Sequence, residues 1–299
     1  MGTPPGPLPD LGSGPPIAPR VPVELAPGVV RVSAPNPSMM TGPGTNTYLV
    51  GARSVTVIDP GPAGLPAHTD ALVAAAGGAG AIDRIVVTHT HPDHAPGAAA
   101  LAAATGAEVI GYGPAEGFEP DRLAAEGSRF AVGDDALLAR HTPGHASDHL
   151  CWLLESSRLL FTGDHVMEGS TVVIRPPDGD MGDYLASLER LVDGSEQISA
   201  IAPGHGRVIA EPTAAVRAVL AHRRVREALV ATVLSETGPA TLEDLLDLVY
   251  GDVGPERTAV ARASLWAHLR HLVATGEAEC DRPITAEGTD EGGTWRPVR

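Results

Sequence analysis

His89-Thr90-His91-Pro92-Asp93-His94 packs four ionisable side chains into six residues. It directly follows Ile82-Asp83-Arg84-Ile85-Val86-Val87-Thr88, an apolar β-prone run, so the cluster sits where a strand gives way to a loop. In a turn, His89 and His91 can point at one metal ion. Asp93 and His94 can then point at a second beside it, with Pro92 restraining the backbone between the pairs. Neutral imidazoles and a carboxylate suit zinc, and also iron or manganese. A single histidine at a strand end is ordinarily structural; three with an aspartate at this spacing point to metal binding.

Six residues cannot complete two metal sites, and three later segments supply further ligand types. Thr142-Pro143-Gly144-His145 places a histidine after tight-turn residues. Phe161-Thr162-Gly163-Asp164 ends a hydrophobic strand in Gly-Asp. Ala202-Pro203-Gly204-His205-Gly206 ends another strand in a glycine-flanked histidine. All three are loops at strand ends, where side chains distant in sequence can converge.

The flanking pattern alternates strands with helices. Thr45–Val50 and Ser54–Asp59 read as neighbouring strands, the second closed by the turn residues Asp59-Pro60-Gly61. Leu65–Ala76 and Gly97–Thr105 read as helices of small residues. Further strands are expected at Glu108–Ile110, Ala136–Arg140, His149–Leu154, Arg158–Phe161 and Ile198–Ala202, with a helix over Asp183–Leu191. This is the signature of a layered α/β core. Composition shifts after Glu211. Thr213–Thr237, Thr241–Tyr250 and Glu256–Thr275 read as three helices, with Thr241 and Asp244 forming a capping box. Two short strands, Glu277–Cys280 and Thr294–Val298, follow. Residues 1–20, rich in Pro and Gly, are expected to be a flexible tail, 21–212 the catalytic domain and 213–299 a helical appendage.

Composition narrows the function. Hydrophobic residues make up 43% of 299, enough for a core, but aromatics are 3%, so small aliphatic side chains must pack it. A formal charge of −16 repels polyanions, so nucleic-acid contact would need a local basic patch. All 21 basic residues are Arg, which excludes a lysine base or Schiff-base nucleophile. Two cysteines exclude a disulfide framework. No apolar run approaches the roughly 18–20 residues of a membrane span. Met1–Arg20 lacks the basic start and apolar block of a secretory signal, so a cytoplasmic protein is expected.

Taken together, His89-x-His91-x-Asp93-His94, the TPGH ending at His145, the Gly-Asp ending at Asp164 and the PGHG holding His205 resemble the metallo-β-lactamase superfamily over Val21–Pro212. The resemblance implies an αββα sandwich with a dinuclear zinc site. His89, His91 and His145 would form one half, Asp93, His94 and His205 the other, and Asp164 would bridge them. A water held between two cations loses its proton near neutral pH and becomes the nucleophile, with Asp93 orienting it. His91 stands where the family's di-iron oxidoreductases carry Glu, which favours hydrolysis. The missing export signal and the bridging Asp164 argue against a β-lactamase proper.

Two branches remain by resemblance. Glyoxalase-type thioesterases share the whole ligand set. The β-lactamase-like endoribonuclease group is the nearer match: Gly44–Val50, Glu168–Thr171, Asp183–Leu188 and the basic helix around His222-Arg223 are similar to it. The last third resembles that group's winged-helix domain, with Ala267–Leu272 as recognition helix before Thr275-Gly276-Glu277. The first expectation is therefore cleavage of single-stranded RNA. A small-molecule thioester is the alternative, and a non-enzymatic, metal-sensing regulator the third reading. Arg217–Arg226 is the candidate phosphate patch. Asn46, Tyr48, Thr171 and His149 are candidate substrate contacts, and His149 and His165 candidate proton donors. No membrane partner is expected; a homodimer is left open.

Overall fold

The computed structural model describes residues 3–194, 197–251 and 253–298. A two-residue strand, β1 (Gly12–Ser13), precedes a seven-stranded sheet of β2 (Val23–Ala26), β3 (Val29–Ser33), β4 (Asn46–Val50), β5 (Val55–Ile58), β6 (Ile82–Val86), β7 (Glu108–Gly111) and β8 (Arg122–Leu123). β2 to β5 pair antiparallel, β3 and β4 being joined by the loop over 34–45, whereas β5 to β8 run parallel. Parallel neighbours need crossovers. α1 (Pro66–Ala75) and α2 (Gly97–Thr105) provide them between β5 and β6 and between β6 and β7.

A second seven-stranded sheet contains β9 (Arg129–Val132), β10 (Asp135–His141), β11 (Leu150–Leu154), β12 (Leu159–Gly163), β13 (Ala200–Pro203) and β14 (Val208–Ile209), with β1 along its far edge. α3 (Met181–Val192) joins β12 to its parallel neighbour β13. Beyond lie α4 (Pro212–Thr237), α5 (Leu242–Tyr250), α6 (Thr258–Ala274) and a hairpin of β15 (Ala278–Cys280) and β16 (Trp295–Pro297).

The sheets face each other. Tyr48, Ile58, Val86 and Ile110 from the first meet Phe130, Leu137, Trp152 and Phe161 from the second. Leu72 of α1 and Leu101 of α2 cover Val57 and Ile85 on one outer face. Tyr184 and Leu188 of α3, with Val216 and Val219 of α4, cover Ile201 and Ile209 on the other. The order is helix, sheet, sheet, helix, as expected. Each fully buried Val, Leu or Ile contributes about 1.5–3 kcal/mol, so many small side chains replace a few aromatics here. One aromatic has a second task. Trp152 Nε1 donates to the Val87 carbonyl at 3.0 Å, pinning the strand end just ahead of the histidine cluster.

Two expectations change. The N-terminal segment is not free up to residue 20. Gly12 and Ser13 pair with Ile209 and Val208, and Arg207 binds Asp10 at 2.8 Å and also Glu168. Leu8 and Leu11 rest on the outer apolar cluster, which explains the order of a Pro- and Gly-rich stretch. The C-terminal third does form three helices and a hairpin, but it is not cleanly separated at residue 212. The first half of α4 packs on the sandwich, whereas Leu229, Val230, Val233 and Leu234 join α5 and α6 in their own core. In α6, every residue from Ala263 to Leu269 is buried. Of the stretch expected to act as a recognition helix, Ala267–Leu272, Ala267, His268, Leu269 and Leu272 are buried and Arg270 and His271 are half-buried.

Candidate metal centre

The seven candidate ligands meet at one end of the two sheets. His89, His91, Asp93 and His94 follow β6. His145 comes from the β10–β11 loop, Asp164 follows β12 and His205 follows β13. The glycines between them are steric requirements. Gly163 has φ +45°, and a Cβ there would lie 2.4 Å from Thr88 Oγ1. A Cβ on Gly204 would lie 2.7 Å from Asp164 Oδ1 and 2.8 Å from His94 Cε1.

The seven side chains form two adjoining triads. His91 Nδ1 stands 3.0 Å from His89 Nε2 and 2.9 Å from His145 Nε2. Three ligands about 2.0–2.1 Å from a tetrahedral zinc ion would stand about 3.3 Å apart, so this spacing is that of a ligand set. His94 Nε2 and His205 Nε2 each lie 3.3 Å from Asp93 Oδ2, forming the second triad. Asp164 stands between them. Its Oδ1 is 3.4 Å from His94 Nε2 and 3.3 Å from His205 Nε2, and its Oδ2 is 3.7 Å from His145 Nε2.

Hydrogen bonds behind the ligands decide which nitrogen each ring presents. Carbonyl oxygens only accept, so the Nδ1–H of His145 donates to Val173 O at 2.7 Å and that of His205 to Gly44 O at 3.2 Å. Asp59 does the same from deeper inside. Its Oδ2 accepts from His94 Nδ1 at 2.9 Å and from the Thr88 hydroxyl at 2.8 Å, and that hydroxyl accepts from His89 Nδ1 at 3.0 Å. Four imidazoles thus turn Nε2 lone pairs inward. Asp148 holds the loop from outside, accepting from the Thr90 amide at 3.1 Å and its hydroxyl at 2.6 Å.

This arrangement fits metal ions. His94 Nε2 and Asp164 Oδ1 are buried without a hydrogen-bond partner, a costly state unless a cation completes them. The triads His89/His91/His145 and Asp93/His94/His205, and the trio His89/His94/Asp164, each bring their ligand atoms within 4.8 Å of one another. The site also attracts positive charge. Burial lowers His205, but the negative charges of Asp164 and Asp93 beside it outweigh that and push it up to about 9. Burial and the neighbouring imidazoles hold His89 neutral, well below its ordinary value.

A cavity of about 720 Å³ opens onto His91, Asp93, His145, Asp164 and His205. Thr171, a candidate substrate contact, lines it. Asn46 and Tyr48 do not. Asn46 Nδ2 donates to Pro203 O and Gly206 O at 3.0 and 2.8 Å, and Tyr48 OH to Pro203 O at 2.7 Å, so both hold the His205 loop. His149 lies behind the site, stacked on His89 with centroids 5.0 Å apart and bonded to Thr142 at 2.9 Å. His165 is buried against Tyr184, and neither it nor His149 reaches the cavity. Of the expected phosphate patch Arg217–Arg226, Arg217 and Arg224 are exposed and the other two arginines are not. Arg223 and Arg226 are buried, donating to the carbonyls of Val172 and Val249, and Arg224 pairs with Glu189. Asp59 was missed: Asp-Pro-Gly after a strand reads as a turn, and only the parallel strand beside it reveals its partners.

No described helix is long and apolar enough to cross a membrane. The sequence model of the Metallo-beta-lactamase superfamily matches residues 40–205. The Atrochrysone carboxyl ACP thioesterase of Aspergillus chevalieri is 36% identical over 246 residues, covering 77% of this chain and 75% of that protein. The Beta-lactamase-like protein 2 homolog of Drosophila melanogaster is 29% identical over 284 residues, covering 88% and 94%. A Beta-lactamase domain protein from Burkholderia ambifaria shares the fold with a TM-score of 0.79 at 20% identity, covering 98% of this chain and 97% of that one. With a family match across more than half of the chain, and a relative at 36% identity over most of both lengths, the chain belongs to the metallo-β-lactamase superfamily and is a hydrolase of it.

Proposed function

We propose that this hydrolase cleaves acyl thioesters, using two divalent cations. The observation that carries the reading is the cavity. Its volume of about 720 Å³ suits one small molecule, and Leu8, Met39, Met40, Met167, Val172 and Val260 give it apolar walls beside the ligand cluster. Met39 and Met40 are half-exposed at 52% and 49%, and flexible thioethers of this kind adapt to varied acyl groups. The burial of Ala263–Leu269 in α6 and of Arg223 and Arg226 in α4 reduces the contact surface that the single-stranded RNA reading expected. The relative named as an acyl-carrier thioesterase supports the same ranking.

His89, His91 and His145 would hold one cation, Asp93, His94 and His205 the other, and Asp164 would face both. The nitrogen-rich set favours zinc, with iron or manganese as alternatives. When bound, the cations supply Lewis acidity toward the scissile carbonyl and a water acidic enough to attack near neutral pH. Asp93 is held at Oδ2 by the Thr45 hydroxyl at 3.0 Å, which leaves Oδ1 to accept that water's proton. A thiolate leaves without acid assistance, whereas the alkoxide of a phosphodiester needs a donor. His149 and His165, the donors adjacent in sequence, stand outside the cavity. Residues 21–212 are assigned as the catalytic unit. To the C-terminal helices and hairpin, expected to be a winged helix, we assign the role of closing the cavity.

The test offers purified protein an acyl-coenzyme A thioester and labelled single-stranded RNA, with Asp164→Ala as control. Thioester turnover lost in the variant is expected, with about two metal ions per chain. RNA cleavage with the thioester left intact would overturn the proposal.

A further inference from the structure

Arg223 is 3% exposed, yet it lines the cavity that opens on the ligand cluster. Its Nη2 donates to the Val172 carbonyl, and the guanidinium lies 5.5 Å from the centre of the Tyr184 ring. Its Nε has no hydrogen-bond partner, and among the described residues no carboxylate pairs with it. Glu227, one turn further along α4, is already engaged by His268 at 3.3 Å and His271 at 2.7 Å. A buried guanidinium without a counter-charge is unfavourable unless something else supplies the charge. Its planar fork matches a carboxylate or a phosphate oxygen pair. Arg175 and Arg257 line the same cavity from exposed positions, with Asp178 beside them and Asp93 and Asp164 at the ligand cluster.

We propose that Arg223 is the receptor for an anionic group, a carboxylate or a phosphate, carried by the molecule whose scissile bond lies at the histidine–aspartate cluster. The proposal rests on the thioesterase reading for the identity of that bond, and on the cavity alone for the anion. The anion has two sources: a carboxylate on the acyl part, or a phosphate on the thiol carrier. Burial inside the cavity and shared chemistry leave both open to one experiment.

Butyryl and succinyl thioesters are compared on two carriers, N-acetylcysteamine, which has no phosphate, and coenzyme A. A carboxylate receptor favours succinyl over butyryl on either carrier. A phosphate receptor favours coenzyme A with either acyl group. The wild type should show one preference of at least about tenfold in kcat/KM, as a charge-assisted contact supplies. Arg223→Met should erase it, and Arg223→Lys should retain part of it. No preference in the wild type, or a preference that survives Arg223→Met, overturns the proposal. The second measurement uses chelator-treated protein and needs no turnover. Succinate or inorganic phosphate should raise the Tm of the wild type and not that of Arg223→Met, even if every thioester is left intact. Absence of that shift in the wild type overturns the anion site independently of the thioesterase reading.

Discussion

Asp59 touches no substrate, yet its replacement should weaken metal binding. Its φ of +53° lies in the left-handed region, where Asn is as acceptable as Asp, so Asp59→Asn leaves the backbone in place. The carboxylate accepts from the Thr88 amide at 2.7 Å through Oδ1, and from Thr88 Oγ1 and His94 Nδ1 through Oδ2. An asparagine keeps one acceptor. With its oxygen toward the Thr88 amide, its NH2 group meets His94 Nδ1. The imidazole can then accept only by moving its proton to Nε2, the atom aimed at Asp93 and Asp164. Flipped, the NH2 group meets the Thr88 amide instead, leaving a buried donor unpaired at about 1–3 kcal/mol. The first arrangement withdraws His94 as a ligand, and the second keeps it only at the cost of that unpaired donor. Losses of this kind run to about 10–100-fold in metal affinity, or about 1.4–2.7 kcal/mol. Competition between apo-protein and a chromophoric chelator for zinc measures it, with far-ultraviolet circular dichroism to confirm the fold. A correctly folded variant with wild-type zinc affinity would refute the tautomer argument.

Three further outcomes follow from the same geometry. Gly204→Ala would drive a methyl group to within 2.7 Å of Asp164 Oδ1, so hydrolase activity should fall by at least about tenfold while the fold persists; wild-type turnover would show that the loop yields. Stripping the metals should lower the Tm, because ligands that bind only the folded state stabilise it by about 2.7 kcal/mol at roughly 100 times Kd; calorimetry showing no change on chelation and zinc return would contradict this. Burial raises Glu227, but hydrogen bonds from His268 and His271 outweigh it and hold the carboxyl at about 2, against an ordinary value of 4.5. A depressed carboxyl stabilises the fold above its unfolded pKa, and that contribution disappears as the pH falls from 4.5 toward about 2. Urea titrations of metal-free protein should therefore show the wild type losing stability across that window more steeply than Glu227→Gln; parallel curves would exclude the linkage.

What was legible in the sequence, and what was not, divides along one physical line. The seven residues that the fold brings together were readable because each sits in a local signal: four in one hexapeptide, three beside glycines that steric contact demands. The strands and helices were readable where apolar periodicity reports one buried face, as in α3 and α5. Asn46 and Tyr48 looked like substrate contacts because the residues alone do not reveal that Pro203 and Gly206 carbonyls stand opposite them across the sheets. The arginines of α4 misled for a related reason. A run of Arg on a helix reads as a solvated face, since isolated helix residues see only neighbours one turn away. Arg223 is buried because α4 lies between the sandwich and the loop carrying Val172, and its hydrogen bond spans 51 positions of sequence. A residue's type is written locally, but its role depends on what the fold places across from it. For Arg223, that turned a presumed surface charge for a polymer into a buried charge facing a cavity of small-molecule size.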